Sequence, residues 1–154
     1  MTANVFEPEL EEGFEREGFR HRGAEIGRQA GTGQLGASLY EVEPGQATCP
    51  YHWHAGNEEL LLVVSGTIVV RTPDGEREAA AGEVVAFPRG ERGAHQLIGR
   101  GDESARFLML SEKNEPDVVV YPDSGKVGVR AGSLRPNLRI ADAVDYFDGE
   151  EPPR

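Results

Sequence analysis

An all-β fold is predicted for this chain, and three features carry the prediction. Punctuation comes first: 20 Gly and 10 Pro in 154 residues break the sequence often, yet stay short of the share that marks low complexity. Between Leu35 and Leu110 the apolar residues then fall into short or alternating runs separated by turn formers, the period of strands rather than of helices. Finally, Leu, Ile, Val and Phe are plentiful enough for one core in a chain of one domain's length.

Residues 1–34 form an acidic, Gly-rich arm in which Phe6, Phe14 and Phe19 stand between Glu7, Glu9, Glu11, Glu12, Glu15 and Glu17. An irregular path is expected there, with the aromatics docking on the body and a short helix over 8–17, since glutamates suit a first helical turn. The core is expected over 35–111, with strands at 35–42, 48–54, 59–64, 67–71, 76–80, 83–87, 95–98 and 106–111. The breaks at Glu43-Pro44-Gly45, Ser65-Gly66, Pro88-Arg89-Gly90 and Gly99-Arg100-Gly101-Asp102 are turn chemistry, and Thr72-Pro73-Asp74-Gly75 closes a hairpin. Residues 112–154 are read as an extension packing on the core, with extended runs at 118–121 and 126–129 around Pro122-Asp123-Ser124-Gly125 and a last helical turn at 141–146. Runs 60–64 and 107–110 are apolar on both strand faces, so the outer face needs a cover from the arm, the extension or a second copy. A homodimer is expected on that ground.

Charge and cysteine content narrow the function. With 27 Asp plus Glu against 16 Lys plus Arg, the net charge is −11 and the isoelectric point near 4.8. No basic stripe exists to displace counterions, which excludes nucleic acid as a direct partner. No apolar run approaches the length of a membrane span. Cys49 is the one cysteine, so no internal disulfide forms, and a cytoplasmic location is expected.

Three of the four histidines, His52, His54 and His95, lie within the strand-rich core. On a strand, residues two apart share a face, so His52 and His54 project together. Glu59 opens the next strand after a short turn, with Glu58 beside it, and returns a carboxylate to the same neighbourhood. Each residue alone has an ordinary role as a surface or hydrogen-bonded group. Together, imidazoles and a carboxylate converging inside one core strand polar groups unless a cation joins them. Cys49, an odd number of residues from His52, is expected on the opposite strand face as a small buried hydrophobe. His21, between Arg20 and Arg22, is expected at the surface.

These residues resemble the motifs of the cupin superfamily. The first appears as GQATCPYHWHAGNEELLLVVSG, with four residues between His54 and Glu59 and six more before Gly66. The second appears as GEVVAFPRGERGAH, from Gly82 through Pro88 and Gly90 to His95, and fifteen residues separate the two. The resemblance singles out Glu59 over Glu58 and implies a double-stranded β-helix, or jelly-roll, barrel with metal ligands His52, His54, Glu59 and His95. The chain departs from the family pattern in loops: one extra residue between Gly45 and His52, a longer segment between Gly90 and His95, and Gly99 where an Asn is usual. The 121–129 stretch is also similar to that of a group of small uncharacterised cupins.

Three imidazoles and a carboxylate suit one divalent transition metal, with iron, manganese, nickel and zinc all acceptable. Such a set leaves positions for a bidentate oxygen ligand, unlike closed structural zinc. A small metal-dependent enzyme of oxygenase or isomerase type, acting on an oxygen-rich small molecule, is the leading expectation. The alternative is a non-catalytic module that binds a small metabolite or metal. Leu61, Val63 and Leu97 should line the cup, with Arg89 or Arg92 at its mouth and Tyr40, Tyr51 and Tyr121 as candidate proton donors.

Overall fold

A computed structural model describes residues 2–153. In chain order the elements are β1 (Glu11–Arg16), β2 (Phe19–Ala24), the helix α1 (Ile26–Ala30), β3 (Leu35–Val42), β4 (Trp53–His54), β5 (Glu59–Ser65), β6 (Thr67–Thr72), β7 (Gly75–Ala80), β8 (Val84–Phe87), β9 (Gln96–Gly99), β10 (Ala105–Glu112), β11 (Asp117–Tyr121), β12 (Lys126–Arg130) and β13 (Asn137–Arg139). Among the described residues no helix is long and apolar enough to cross a membrane.

The strands form two facing layers. One is a six-stranded sheet in the order β1-β2-β3-β10-β5-β8, and a β7-β6-β9 sheet faces it. A further sheet, β13-β12-β11-β4, meets the second layer where His52 and His95 form an antiparallel bridge. The all-β prediction holds. A jelly-roll winding agrees with this order, but the hydrogen-bonded ladders do not close into a barrel among the described residues.

Alternation along the strands builds the core. Leu61 and Val63 of β5, Phe107 of β10 and Val42 of β3 turn inward from one layer to meet Ile68 and Val70 of β6 and Leu97 of β9. All are essentially without solvent contact. Register explains the match: Phe107 stands opposite both Tyr40 and Val63, and Met109 opposite Ser38 and Leu61. Thr72 to Gly75 closes the β6–β7 hairpin as predicted, with Gly75 at φ +117°.

The arm departs from the sequence expectation. Over 8–17 there is a strand rather than a helix: β1 and β2 form a hairpin that extends the main sheet along β3. Opposite charges supply the reason. Glu12 pairs across the ladder with Arg22 and Glu15 with Arg20, their charged groups 3.4 and 3.8 Å apart, and such cross-strand pairs contribute roughly 0.2–1 kcal/mol each. Gly18, at φ +76°, makes the tight turn that a β-carbon would strain. Phe6 stays exposed, contrary to the docking expected of it, and Phe19 is half-buried. The Phe14 side chain lies outside the described residues. The outer face is covered in part by this end of the chain, since Ala3, Val5 and Leu10 pack with Ala24, Ile26, Leu39, Val64 and Leu108.

Two further expectations change. The strand predicted over 48–54 shrinks to Trp53–His54, because residues 48–51 follow a series of bends. The helical turn expected at 141–146 is replaced by a 3-10 turn at Ile140–Asp142 and a separate turn at 146–149. Beyond β10, Asp123 holds the chain to β6 through a two-pronged ion pair with Arg71, at 2.6 and 2.9 Å.

Candidate metal centre

Three chain segments bring the candidate ligands together. His52 and His95 face each other across the bridge between layers, with reciprocal backbone hydrogen bonds of 3.1 and 2.8 Å. His54 lies on β4, held by pairing with Val119 of β11. Glu59 opens β5, opposite Phe87 and Ser111. His95 follows the 3-10 turn Glu91–Gly93, and its ring stacks on Phe87 with centroids 3.8 Å apart and planes 12° from parallel.

One atom is the focus of the cluster. Glu59 Oε2 lies 3.3 Å from His95 Nε2, 3.6 Å from His54 Nε2 and 3.9 Å from His52 Nε2. His52, His54 and Glu59 present ligand atoms all within 4.8 Å of one another, and His95 joins through the same carboxylate oxygen. His52 and His95 are buried, and Phe87, stacked on His95, is part of the apolar core that also holds Leu61, Val63, Leu97 and Phe107.

The opposite nitrogens of the three rings are engaged. Nδ1 of His52 lies 2.9 Å from the Pro50 carbonyl oxygen, Nδ1 of His95 2.9 Å from that of Gly93, and Nδ1 of His54 2.6 Å from Asp117 Oδ2. All three partners only accept, so each neutral imidazole carries its proton on Nδ1 and turns a bare lone pair on Nε2 toward Glu59. Three nitrogen lone pairs then face a carboxylate oxygen with no donor among them. Glu59 Oε2 is buried without a hydrogen-bond partner, a costly state that a cation at the convergence point removes.

The electrostatics of Glu59 depend on whether the imidazoles are protonated. Burial pushes the Glu59 carboxyl up, but a His95 hydrogen bond and the charges of His54, His95 and His52 outweigh it and hold the group below its ordinary range. That hydrogen bond exists only while His95 carries a proton on Nε2, and in the neutral tautomer set by Gly93 it is lost. The residues therefore fit a divalent metal, which neutral nitrogen donors and a carboxylate bind readily.

Other candidates take different places. Cys49 sits on the bends rather than on a strand, so alternation does not apply, and its Sγ lies 3.7 Å from His52 Nδ1 instead of on the opposite face. Burial pushes its thiol up to about 12. Arg89 is tied to Glu112, while Arg92 is exposed on the turn before His95. Tyr121 stacks near His52 with centroids 6.0 Å apart, Tyr40 packs on Phe107 at 5.4 Å, and Tyr51 lies under Arg71 at 4.1 Å. Burial raises the hydroxyl pKa of all three. His21 packs edge-on against Tyr40, away from the ligand cluster, with centroids 5.1 Å apart. Asp117 was not foreseen, because it lies 63 positions from His54, and no short-range pattern connects them.

An all-β body around a largely buried three-histidine, one-glutamate cluster is the class the fold and site define, and comparison with known proteins gives its family. The family model for the cupin domain matches residues 38–111. A solved structure from Acidithiobacillus ferrooxidans, provisionally named a sugar phosphate isomerase, is 26% identical with a TM-score of 0.83, over 92% of this chain and 91% of that one. A cupin-superfamily sugar phosphate isomerase from Silicibacter pomeroyi is 22% identical at a TM-score of 0.81, over 96% and 98%. A polyketide cyclase from Streptomyces resistomycificus shares the fold at 23% identity and a TM-score of 0.55, over 71% and 78%. No curated protein matches the sequence. Over residues 38–111 the chain is a cupin domain.

Proposed function

We propose that the protein is a metal-dependent enzyme that holds one divalent transition metal through His52, His54, Glu59 and His95 and acts on an oxygen-rich small molecule. The observation that carries this is the meeting of three imidazole lone pairs with the orphaned Oε2 of Glu59. Iron, manganese, nickel and zinc all accept such donors. A metal held by these four residues would supply Lewis acidity toward substrate oxygens.

The chain's own residues do the remaining work. Leu61 and Leu97, each two residues beyond a ligand and fully buried, give the cluster apolar neighbours on the same strand faces, which strengthens charge interactions there. Tyr121, its ring 6.0 Å from that of His52 and its hydroxyl held protonated by burial, is the candidate donor to a substrate oxygen. Between the expected oxygenase and isomerase chemistries, isomerisation is favoured by the 26% identical Acidithiobacillus relative and its provisional name. A non-catalytic binding module is the second reading, since burial raises the pKa of the Tyr121 hydroxyl and a neutral phenol gives up its proton poorly at neutral pH. Turnover assays of the metal-loaded protein against aldose and ketose substrates, followed by NMR, test the choice: product formation lost in Glu59→Ala supports the enzyme, and binding without product supports the module.

We further place a second copy of the chain on the outer face of the main sheet. Leu60, Leu62 and Leu110 are only half-buried there and Val84 is exposed, whereas Ala3, Val5 and Leu10 cover the neighbouring part of that face. The free thiol of Cys49 suits the reducing conditions of the cytoplasm, where we place the protein.

A further inference from the structure

We infer that Asp117, from the strand after the family-matched region, is a positioning residue that locks His54 in the one tautomer able to bind metal. The inference rests on the metal reading above. Asp117 is buried at 4% exposure, and both of its carboxylate oxygens are committed. Oδ2 lies 2.6 Å from His54 Nδ1, and Oδ1 accepts a 2.7 Å hydrogen bond from the Gly56 backbone N–H. A carboxylate offers only acceptors, so the His54 proton is held on Nδ1 and the lone pair on Nε2 faces Glu59.

The arrangement is more demanding at His54 than at its neighbours. Backbone carbonyls of Pro50 and Gly93 fix His52 and His95, and no side-chain substitution converts those oxygens into donors. His54 depends instead on a side chain that reaches it from β11. Gly56 makes the approach possible, since a β-carbon there would stand 3.0 Å from Asp117 Oδ1 and 3.1 Å from the Pro116 carbonyl oxygen. The segment beyond residue 111, outside the cupin match, thus supplies part of the metal centre's support.

The geometry dictates what an amide at this position does. In Asp117→Asn the Gly56 N–H still requires an acceptor, so Oδ1 stays on Gly56 and the Nδ2 amine turns toward His54 Nδ1. Two donors cannot face each other in a buried site, and His54 moves its proton to Nε2. The lone pair needed for metal is then gone, although the side-chain shape is almost unchanged.

Two-bond nitrogen–proton NMR of metal-free protein labelled in its histidine rings, at a pH where imidazoles are neutral, reads the tautomers directly. Zinc titration of the same samples reads affinity. Wild-type protein is expected to show Nδ1–H at all three histidines. In D117N, His54 alone is expected to switch to Nε2–H, while His52 and His95 stay unchanged and report an intact site, and zinc affinity is expected to fall about 10–100-fold. An Nε2–H tautomer at His54 in wild type, or a D117N protein that keeps Nδ1–H or binds zinc within about twofold of wild type, overturns the inference. Should D117N not fold, D117A takes its place: mixed tautomers at His54 support the lock, and unchanged Nδ1–H overturns it. Wild-type protein that takes up no zinc while His54 is Nδ1–H counts against the metal reading and leaves the lock standing.

Discussion

His95 Nε2 stands 3.3 Å from Glu59 Oε2, although one residue leaves a loop of the second layer and the other opens a strand of the first. The contact joins the two cupin motifs at their chemical ends. Because the Gly93 carbonyl holds the His95 proton on Nδ1, it is a contact between two lone pairs. Metal-free protein therefore carries a local penalty at this point, and the bound ion removes it.

Glu59→Gln separates metal binding from stability. The Gln amide donates to the imidazole Nε2 atoms that Glu59 only faces, so metal-free E59Q is expected to be more stable than metal-free wild type by roughly 1–3 kcal/mol. Its metal affinity is expected to fall more than about 100-fold, beyond the usual cost of losing a supporting group. Thermal unfolding of both metal-free proteins checks this, and an E59Q protein that is destabilised contradicts it.

Acid should destabilise the metal-free protein through Asp117. Burial pushes its carboxyl up, but hydrogen bonds from His54, the Gly56 N–H and Asn57 outweigh this and hold it below its ordinary value. The unfolded chain then binds protons at higher pH than the native one, so this stability is fully present above the ordinary carboxylate range. It is lost as pH falls through the lower native value. Melting temperature is expected to fall as pH drops below about 4, with a smaller fall in Asp117→Asn, and an equal fall in the two proteins contradicts this.

Gly93→Ala tests the loop that aims His95. A β-carbon at Gly93 would lie 1.7 Å from the Pro88 carbonyl oxygen, so the turn must open and carry the carbonyl bonded to His95 Nδ1 with it. A loss of about 2–3 kcal/mol and weaker metal binding are expected. Gly33→Ala, with nothing within 4 Å of the added carbon, serves as the control and should stay within about 0.5 kcal/mol of wild type.

Cys49 should be slow to alkylate. With its thiol pushed up to about 12 by burial, almost no thiolate exists at neutral pH. Native protein is expected to react with iodoacetamide far more slowly than protein in denaturant, as mass spectrometry would show. Equal rates would contradict the placement of this thiol.

The second copy proposed on the outer face is tested by Leu60→Glu. A charge there meets the apolar partner surface without a counter-ion, so light scattering should report a dimer for wild type and a monomer for L60E, with metal content unchanged. A monomeric wild type contradicts the proposal.

The core and the shared side of His52 and His54 were readable because both rest on short-range periodicity, whereas the choice of Glu59 over Glu58 and the addition of His95 rested on the family resemblance. Alternation alone placed Leu61, Val63 and Leu97 inward, and the two-residue spacing of His52 and His54 put both rings on one side, even though the expected strand there shrinks to Trp53–His54. Where bends replaced that strand, alternation failed, and Cys49 lies beside His52 rather than opposite it. The β1–β2 hairpin escaped notice because its stabilisation comes from cross-strand charge pairs such as Glu12–Arg22 rather than from an apolar pattern. Asp117 escaped because a tertiary hydrogen bond to His54 leaves no trace in local sequence.

The central claim is tested most directly by elemental analysis of freshly purified, untagged protein to which no metal has been added. About one equivalent of iron, manganese, nickel or zinc per chain, absent from Glu59→Ala prepared in parallel, is the predicted result. Wild-type protein that contains none of these metals and takes up none when each is supplied would contradict it.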